Sequence, residues 1–362
     1  MSIRDYRRDL HRIPELDFDL PQTLAYLRKA LAKLPGTVIE PAPSSLCIYF
    51  DAGAPDTIAF RADMDALPVT EDPDREYRSE HEGKMHACGH DAHMAMLLGL
   101  CDFVGEHLDQ LPHNVLAIFQ PAEETIGGAE GICRSGIFQQ YGVRAVFGLH
   151  MWPGLPAGTI ASRPGPLMAR SSEITVDVIG HSVHIAKADQ GRDALMAAAH
   201  LLTRVEAQVQ QVPGHRLLSF GYGYGGTVRN AVAGTAHLEG TMRSFSDQTF
   251  EQLRTILLSE ARSVEAETGC QVLVDVTAGY PPVINDEALL ARVEQLAPIH
   301  RIEDPQMTGE DFSFYQREVP GVFFFVGTGN EAALHSSSFD LDEAALDSGL
   351  DLLRTLLFLE GI

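Results

Sequence analysis

Residues 85–93, MHACGHDAH, bring one thiol and three imidazoles together at the start of a predicted helix. Thiolate sulfur and imidazole nitrogen are the donors that zinc-like divalent ions take, so Cys88 and His90 are candidate metal ligands. A helix start that happens to be rich in histidine is the plain alternative. Two adjacent acids, Glu123 and Glu124, close FQPAEE just after an apolar run that reads as a buried strand. Open α/β sheets bind ligands at the carboxyl ends of their strands, so these acids sit either at such a site or in a solvated turn. Asp63 and Asp65 of RADMDALP end a further strand. Being two apart, their side chains leave an extended backbone on the same side, toward a metal or toward solvent.

GLHMWP sets His150 directly after an apolar strand, and Leu334-His335-Ser336 sets another histidine near the C-terminus. A single histidine is more often structural than ligating. Four strand ends and one helix start all delivering acid, thiol or imidazole is an improbable chance. One ion is too few for so many donors. Two ions sharing a bridging ligand and a water account for Cys88, His90, Glu124, His150 and His335, and leave Glu123 as a base.

The elements that must position these groups alternate. Short β-like runs at 46–50, 57–61, 115–119 and 143–149 are interleaved with a helix over 92–106, after an N-terminal helical segment over 5–34 that stops at Pro35-Gly36. Such alternation predicts an α/β domain, a sandwich with a mixed central sheet and helices on both faces. Pro and Gly dominate 153–166, and beyond them lie a predicted strand (173–179), a helix (193–209) and a strand (236–243), closed by Tyr280-Pro281-Pro282. That pattern reads as an inserted α+β lid domain over 169–282, which makes the catalytic domain discontinuous, 1–168 and 283–362.

Composition narrows the class. A chain of 362 residues, 45% hydrophobic, can bury a full core. Its net charge of −23 disfavours nucleic acid and anionic membrane surfaces, which require clustered Lys and Arg. No run approaches the roughly 20 apolar residues of a membrane span, and the first ten residues lack the apolar stretch of a signal sequence. The five scattered cysteines fit a reducing compartment, so a cytoplasmic protein is expected.

RADMDALP, MHACGHD, FQPAEE, GLHMWP, MTGEDF and the final LH, in that order, resemble the amidohydrolase branch of the aminoacylase/carboxypeptidase family of dinuclear metallohydrolases, from RRDLHRIPEL to LHSSSFDLDE. The resemblance implies two divalent ions per subunit (Mn, Zn, Co or Ni) on Cys88, His90, Glu124, His150 and His335, with Glu123 as general base. It gives Asp65 a ligand-orienting role and puts Asp63 where related peptidases have histidine. It also implies a ferredoxin-like lid whose His184 reaches the neighbouring active site of a homodimer and polarises the amide carbonyl, although the flanking residues of GHSVHIAKAD depart from the family pattern. Asn230 and Arg243 match positions that contact the substrate carboxylate, a job that suits the planar fork of a guanidinium. Gly309 in TGED lets backbone N–H groups approach the substrate.

The expected reaction is therefore hydrolysis of the amide of a small N-acyl amino acid. SEHEGKMHACGHD, AHLEGTMRSFS and MTGEDF resemble members that deacetylate an acetylated diamino dicarboxylic acid in lysine biosynthesis. Aminoacylases and hippurate hydrolases share the pattern. A dipeptidase is the rival enzyme, opposed by Cys88 and Asp63; a metal- or peptide-binding protein without catalysis is the rival of another class, opposed by the pair Glu123 and Glu124.

Overall fold

A computed structural model describes residues 1–72 and 75–361. The chain divides into two compact units, one formed by Met1–Leu167, Ile284–Pro305 and Asp311–Ile362, the other by Met168–Val283 and Gln306–Glu310.

The first unit is mixed α/β around an eight-stranded sheet. From edge to edge the strands are Thr37–Ile39, Leu46–Phe50, Asn114–Gln120, Thr57–Asp63, Val143–Trp152, Gly321–Gly327, Ile160–Ser162 and His300–Arg301. Its four central strands run parallel, with antiparallel partners outside them. Three of the four are buried at every position, and the fourth at all but two, which is why they read as unbroken apolar runs rather than as alternating ones. Because they are parallel, Asp63, Gln120, Trp152 and Gly327 all finish at one edge of the sheet. Register sharpens this: Asp63 lies opposite Gln120, and Arg61 opposite Gly148, so His150 falls level with Asp63.

The helix His90–His107 is buried along most of its length, from His90 through Cys101 without interruption. Its residues share one core with Tyr6 and Leu10 of the helix Ile3–His11 and with Leu346, Leu350 and Leu353 of Ala345–Leu356. The expected start of this helix is two residues late: it begins at His90, directly after Gly89, whose φ of 83° few side chains tolerate. His150 also differs from expectation. It lies within the strand Val143–Trp152 rather than after it.

The second unit has its own core. Its order is strand Arg170–Ile179, helix Ala194–Val209, strands Arg216–Gly225 and Thr235–Ser244, helix Asp247–Thr268 and strand Gln271–Val276. The sheet order is Gln271–Val276, Arg170–Ile179, Thr235–Ser244, Arg216–Gly225, antiparallel throughout, the βαββαβ arrangement of split βαβ folds. Residues 306–310, expected with the catalytic domain, group with this unit, where Ala169 N–H donates to the carbonyls of Gln306 and Thr308.

Candidate metal centre

Cys88, His90, Glu124, His150 and His335 come from separate elements and meet. The Cys88 sulfur is 3.3 Å from Nε2 of His150 and 3.3 Å from Nε2 of His335. Glu124 stands between imidazoles, with one oxygen 3.6 Å from Nε2 of His90 and the other 3.3 Å from Nε2 of His335. Glu123 adds a carboxylate oxygen within 4.8 Å of donor atoms of both His90 and Glu124. His335 arrives from a remote loop, fastened by its backbone N–H to the Ala87 carbonyl at 2.8 Å.

Hydrogen bonds decide which nitrogens are free to bind a cation. Nδ1 of His90 lies 2.7 Å from the carbonyl oxygen of Asp65, and Nδ1 of His150 lies 2.7 Å from that of Met151. A carbonyl only accepts. Both Nδ1 atoms therefore carry the proton, and both Nε2 atoms keep a lone pair aimed into the cluster. His90 Nε2 and the Glu124 oxygen beside it are buried and have no hydrogen-bond partner, an expensive condition unless something binds there.

The charge distribution agrees with a cation. Burial alone would pull the His90 pKa down, but Asp63, Asp65 and Glu124 push it up to about 10; carboxylates that hold a proton so firmly attract a metal ion equally. Burial and the neighbouring Glu124 and Glu123 raise the Cys88 thiol well above its ordinary value, so thiolate forms there when a cation offsets those charges. Burial keeps His150 neutral, with a pKa of about 3. Thiolate, imidazole and carboxylate donors with lone pairs converging fit a pair of divalent ions.

Asp65 and Asp63 flank the His90 ring, each 3.7 Å from one of its nitrogens. Asp65 accepts the backbone N–H of Glu123 at 3.0 Å and of Glu124 at 3.1 Å, thereby fixing both acids. The turn that bears them needs a tight backbone. Ala122 adopts φ 55°, and a Cβ on Gly128 would lie 2.1 Å from the Pro121 carbonyl oxygen.

A model of peptidase family M20/M25/M40 matches residues 59–358. The chain belongs to that family. An N-acetyldiaminopimelate deacetylase of Lacticaseibacillus paracasei is 38% identical over 95% of this chain and 94% of its own, and the Bacillus subtilis protein of the same name is 34% identical over 96% and 95%. Among solved structures, the Bacillus subtilis YXEP protein, described as a dinuclear metal-binding peptidase of the M20 family, superposes with a TM-score of 0.86 at 29% identity, covering 98% of this chain and 96% of its own.

The other residues singled out in this M20 chain lie in the second unit. His184 is exposed, and its Nδ1 accepts the Ala186 N–H at 3.2 Å, which leaves Nε2 as the protonated donor of the neutral ring. Asn230 is beside it, its carbonyl accepting the Ile185 N–H. Arg243 is elsewhere: it pairs with Ser171 across the sheet and donates to the Met307 carbonyl at 2.8 Å, while Gly309 lies against Ser171. Gly180 N–H bonds the Gly234 carbonyl, so the His184 and Asn230 loops leave the opposite end of these strands. Thr235 to Arg243 is eight residues of strand, about 26 Å at roughly 3.3 Å each. His184 and Asn230 are therefore not brought together with Arg243 and Gly309.

Sequence reasoning passed over the residues that support the centre. Arg61 donates to Asp63 at 2.7 Å, to Gln120 at 2.8 Å and to Asp311 at 2.9 Å, all of them buried. Behind the helix His90–His107, Asp91 is bonded by Arg7 at 3.2 Å and by His11 at 2.8 Å. His93, counted within the histidine cluster but given no role, has both nitrogens engaged, Nδ1 at 2.6 Å from Asp63 and Nε2 accepting the Met151 N–H at 2.8 Å. Its place three residues after His90, on the same helix face, was the available signal.

Proposed function

We propose that the protein is a dinuclear metal-dependent amidohydrolase that converts N-acetyl-L,L-diaminopimelate and water to L,L-diaminopimelate and acetate. The convergence of Cys88, His90, Glu124, His150 and His335 around lone pairs, with Glu123 beside them, carries the reading. Relatives named for this deacetylation, 34–38% identical over nearly the whole chain, support the substrate.

Cys88, His90, Glu124, His150 and His335 would hold the ions, and manganese, zinc, cobalt and nickel all suit such donors. When bound, the pair supplies Lewis acidity at neutral pH. Glu123 takes the proton from the attacking water and delivers it to the departing amine nitrogen. Asp65 keeps Glu123 and Glu124 in register through their backbone N–H groups. His184, protonated on Nε2, offers that hydrogen to the amide oxygen as charge builds on it. Arg243 and Asn230 bind carboxylate, and the Gly309 backbone lies close to the substrate.

Residues 169–282 serve as lid and dimerisation domain and the rest as catalytic domain in a cytoplasmic homodimer. A molecule of amino-acid size does not span the strand length that separates His184 from Arg243, so the two serve different active sites, His184 that of the partner subunit. The edge strand Arg216–Gly225, with Tyr222 and Tyr224 exposed, offers a pairing surface. All five cysteines are free and buried, as suits a reducing compartment.

Turnover of N-acetyldiaminopimelate, N-acetyl amino acids, hippurate and dipeptides measured side by side tests the substrate; preference for hippurate or dipeptides overturns it. Glu123→Gln should abolish turnover while the metal content of the protein stays at wild-type level, and retained activity would remove Glu123 as the base. Tyr222→Glu with Tyr224→Glu should give monomers by sedimentation equilibrium and inactive protein; active monomers contradict the shared site.

A further inference from the structure

His93 is buried one turn along the helix from His90, and its ring centroid is 4.7 Å from that of His150. The Met151 N–H points at its Nε2 at 2.8 Å. A backbone amide only donates, so Nε2 carries the lone pair and Nδ1 the proton, which is given to Asp63 at 2.6 Å. With both nitrogens spent, His93 has nothing left for a cation, despite lying in the densest ligand cluster of the sequence. Its two partners lie on opposite sides of the centre. Asp63, held also by Arg61, is 3.7 Å from His90 Nε2. Met151 is the residue whose carbonyl accepts Nδ1–H of His150 and so fixes that ring's tautomer.

We propose that His93 is a positioning residue that ties the two halves of the metal centre together, holding Asp63 beside His90 with one nitrogen and the Met151 backbone that sets His150 with the other. This rests on the metal-centre reading above. Partners behind metal ligands orient them and tune their basicity, and their loss commonly weakens metal affinity 10–100-fold. Here one imidazole does so for ligands on two elements, a helix and a strand.

Two amides separate the halves. The short side chain of Asn places its amide near the Nδ1 position and keeps the donor to Asp63; the longer Gln places its amide near Nε2 and keeps an acceptor for Met151 N–H. Apo protein is titrated with Co²⁺, following heat and the visible absorption of the bound ion. Wild type should take up two equivalents. His93→Asn and His93→Gln should each weaken one of the two binding steps by about tenfold or more, a different step in each, with a changed Co²⁺ spectrum and near-wild-type thermal unfolding. His93→Phe, which keeps neither bond, should weaken both. Two wild-type binding steps in both amide variants overturn the proposal, whether or not the Phe variant folds. So does an identical loss of both steps in the two amide variants accompanied by a lowered unfolding temperature, which marks a merely structural residue. A wild-type protein that takes up no Co²⁺ removes the metal centre itself and this inference with it.

Discussion

Asp65→Asn isolates one physical effect, the orientation of the two adjacent acids by a single carboxylate. In the native protein Asp65 is buried and each of its oxygens accepts one backbone N–H, from Glu123 at 3.0 Å and from Glu124 at 3.1 Å. Asparagine keeps the shape but turns one acceptor into a donor, which then faces an N–H. A hydrogen bond to a charged group contributes about 1.5–3 kcal/mol, and a buried N–H left unpaired costs about 1–3 kcal/mol. Partial relaxation of the turn brings the sum to about 3 kcal/mol, roughly two powers of ten in the population that holds both acids in place. The expected result is a kcat lower by about 100-fold with KM changed by about threefold or less, because the reacting groups are displaced and not the groups that bind carboxylate. Steady-state kinetics on N-acetyldiaminopimelate, with metal content measured on the same samples, decides it. A folded Asp65→Asn protein whose kcat stays within about threefold of wild type would show that the two acids do not depend on this carboxylate.

Gly128→Ala should strip the protein of metal and activity together, because the new Cβ would lie 2.1 Å from the Pro121 carbonyl oxygen and the turn bearing Glu123 and Glu124 must open; elemental analysis checks this, and a metal-replete active variant refutes it. Asp91→Ala leaves Arg7 and His11 buried without their shared carboxylate, and should cost about 3–5 kcal/mol in urea unfolding. Burial draws the His11 pKa down, but the charge and hydrogen bond of Asp91 raise it overall. Its contribution is thus complete below about pH 6.5 and fades as pH rises through the raised value. Asp91 itself, which burial would push up, is held far below the ordinary carboxylate range by Arg7 and His11, so its contribution persists above about pH 4 and is lost only in strong acid. The stability gap between wild type and His11→Gln should therefore narrow from pH 6 to pH 9, and a gap that widens contradicts the sign.

The ligands were legible in the sequence because their chemistry is local. Cys88 and His90 bracket a glycine at a helix start, and Glu124 and His150 fall at the ends of apolar runs that can only be buried parallel strands. Parallel strands finish at one edge, so pattern alone predicts convergence. The supporting groups were not legible, because their identity depends on partners distant in the chain. Arg61 and Asp311 are 250 residues apart, and nothing near either announces the pair. His93 looked like one more ligand until the Met151 amide was seen to occupy its remaining lone pair. The second unit was harder still. Its strand Arg216–Gly225 is largely exposed, with four glycines and tyrosines interleaved in YGYG, and lacks the apolar alternation that marks a half-buried strand.

The same division between donor chemistry and support appears in the backbone. Ala122 (φ 55°) and His335 (φ 65°) are non-glycine residues in the left-handed region, a conformation that costs on the order of 1 kcal/mol or more for a side chain bearing Cβ. One directly precedes Glu123; the other is itself a candidate ligand. Each is held by a specific bond: the Ala122 carbonyl accepts the Gly127 N–H at 3.0 Å, and the His335 N–H donates to Ala87 at 2.8 Å. Glycine at either position would relieve the strain, but at 335 it deletes the imidazole, and at 122 it frees the peptide that aims Glu123. An alanine and a histidine in conformations that favour glycine are therefore the cost of placing two side chains from loops onto a centre otherwise built from a sheet edge and a helix start. Such strain persists only where the surrounding structure over-determines the conformation, and here the surrounding structure is the buried group of Asp65, His90 and Glu124.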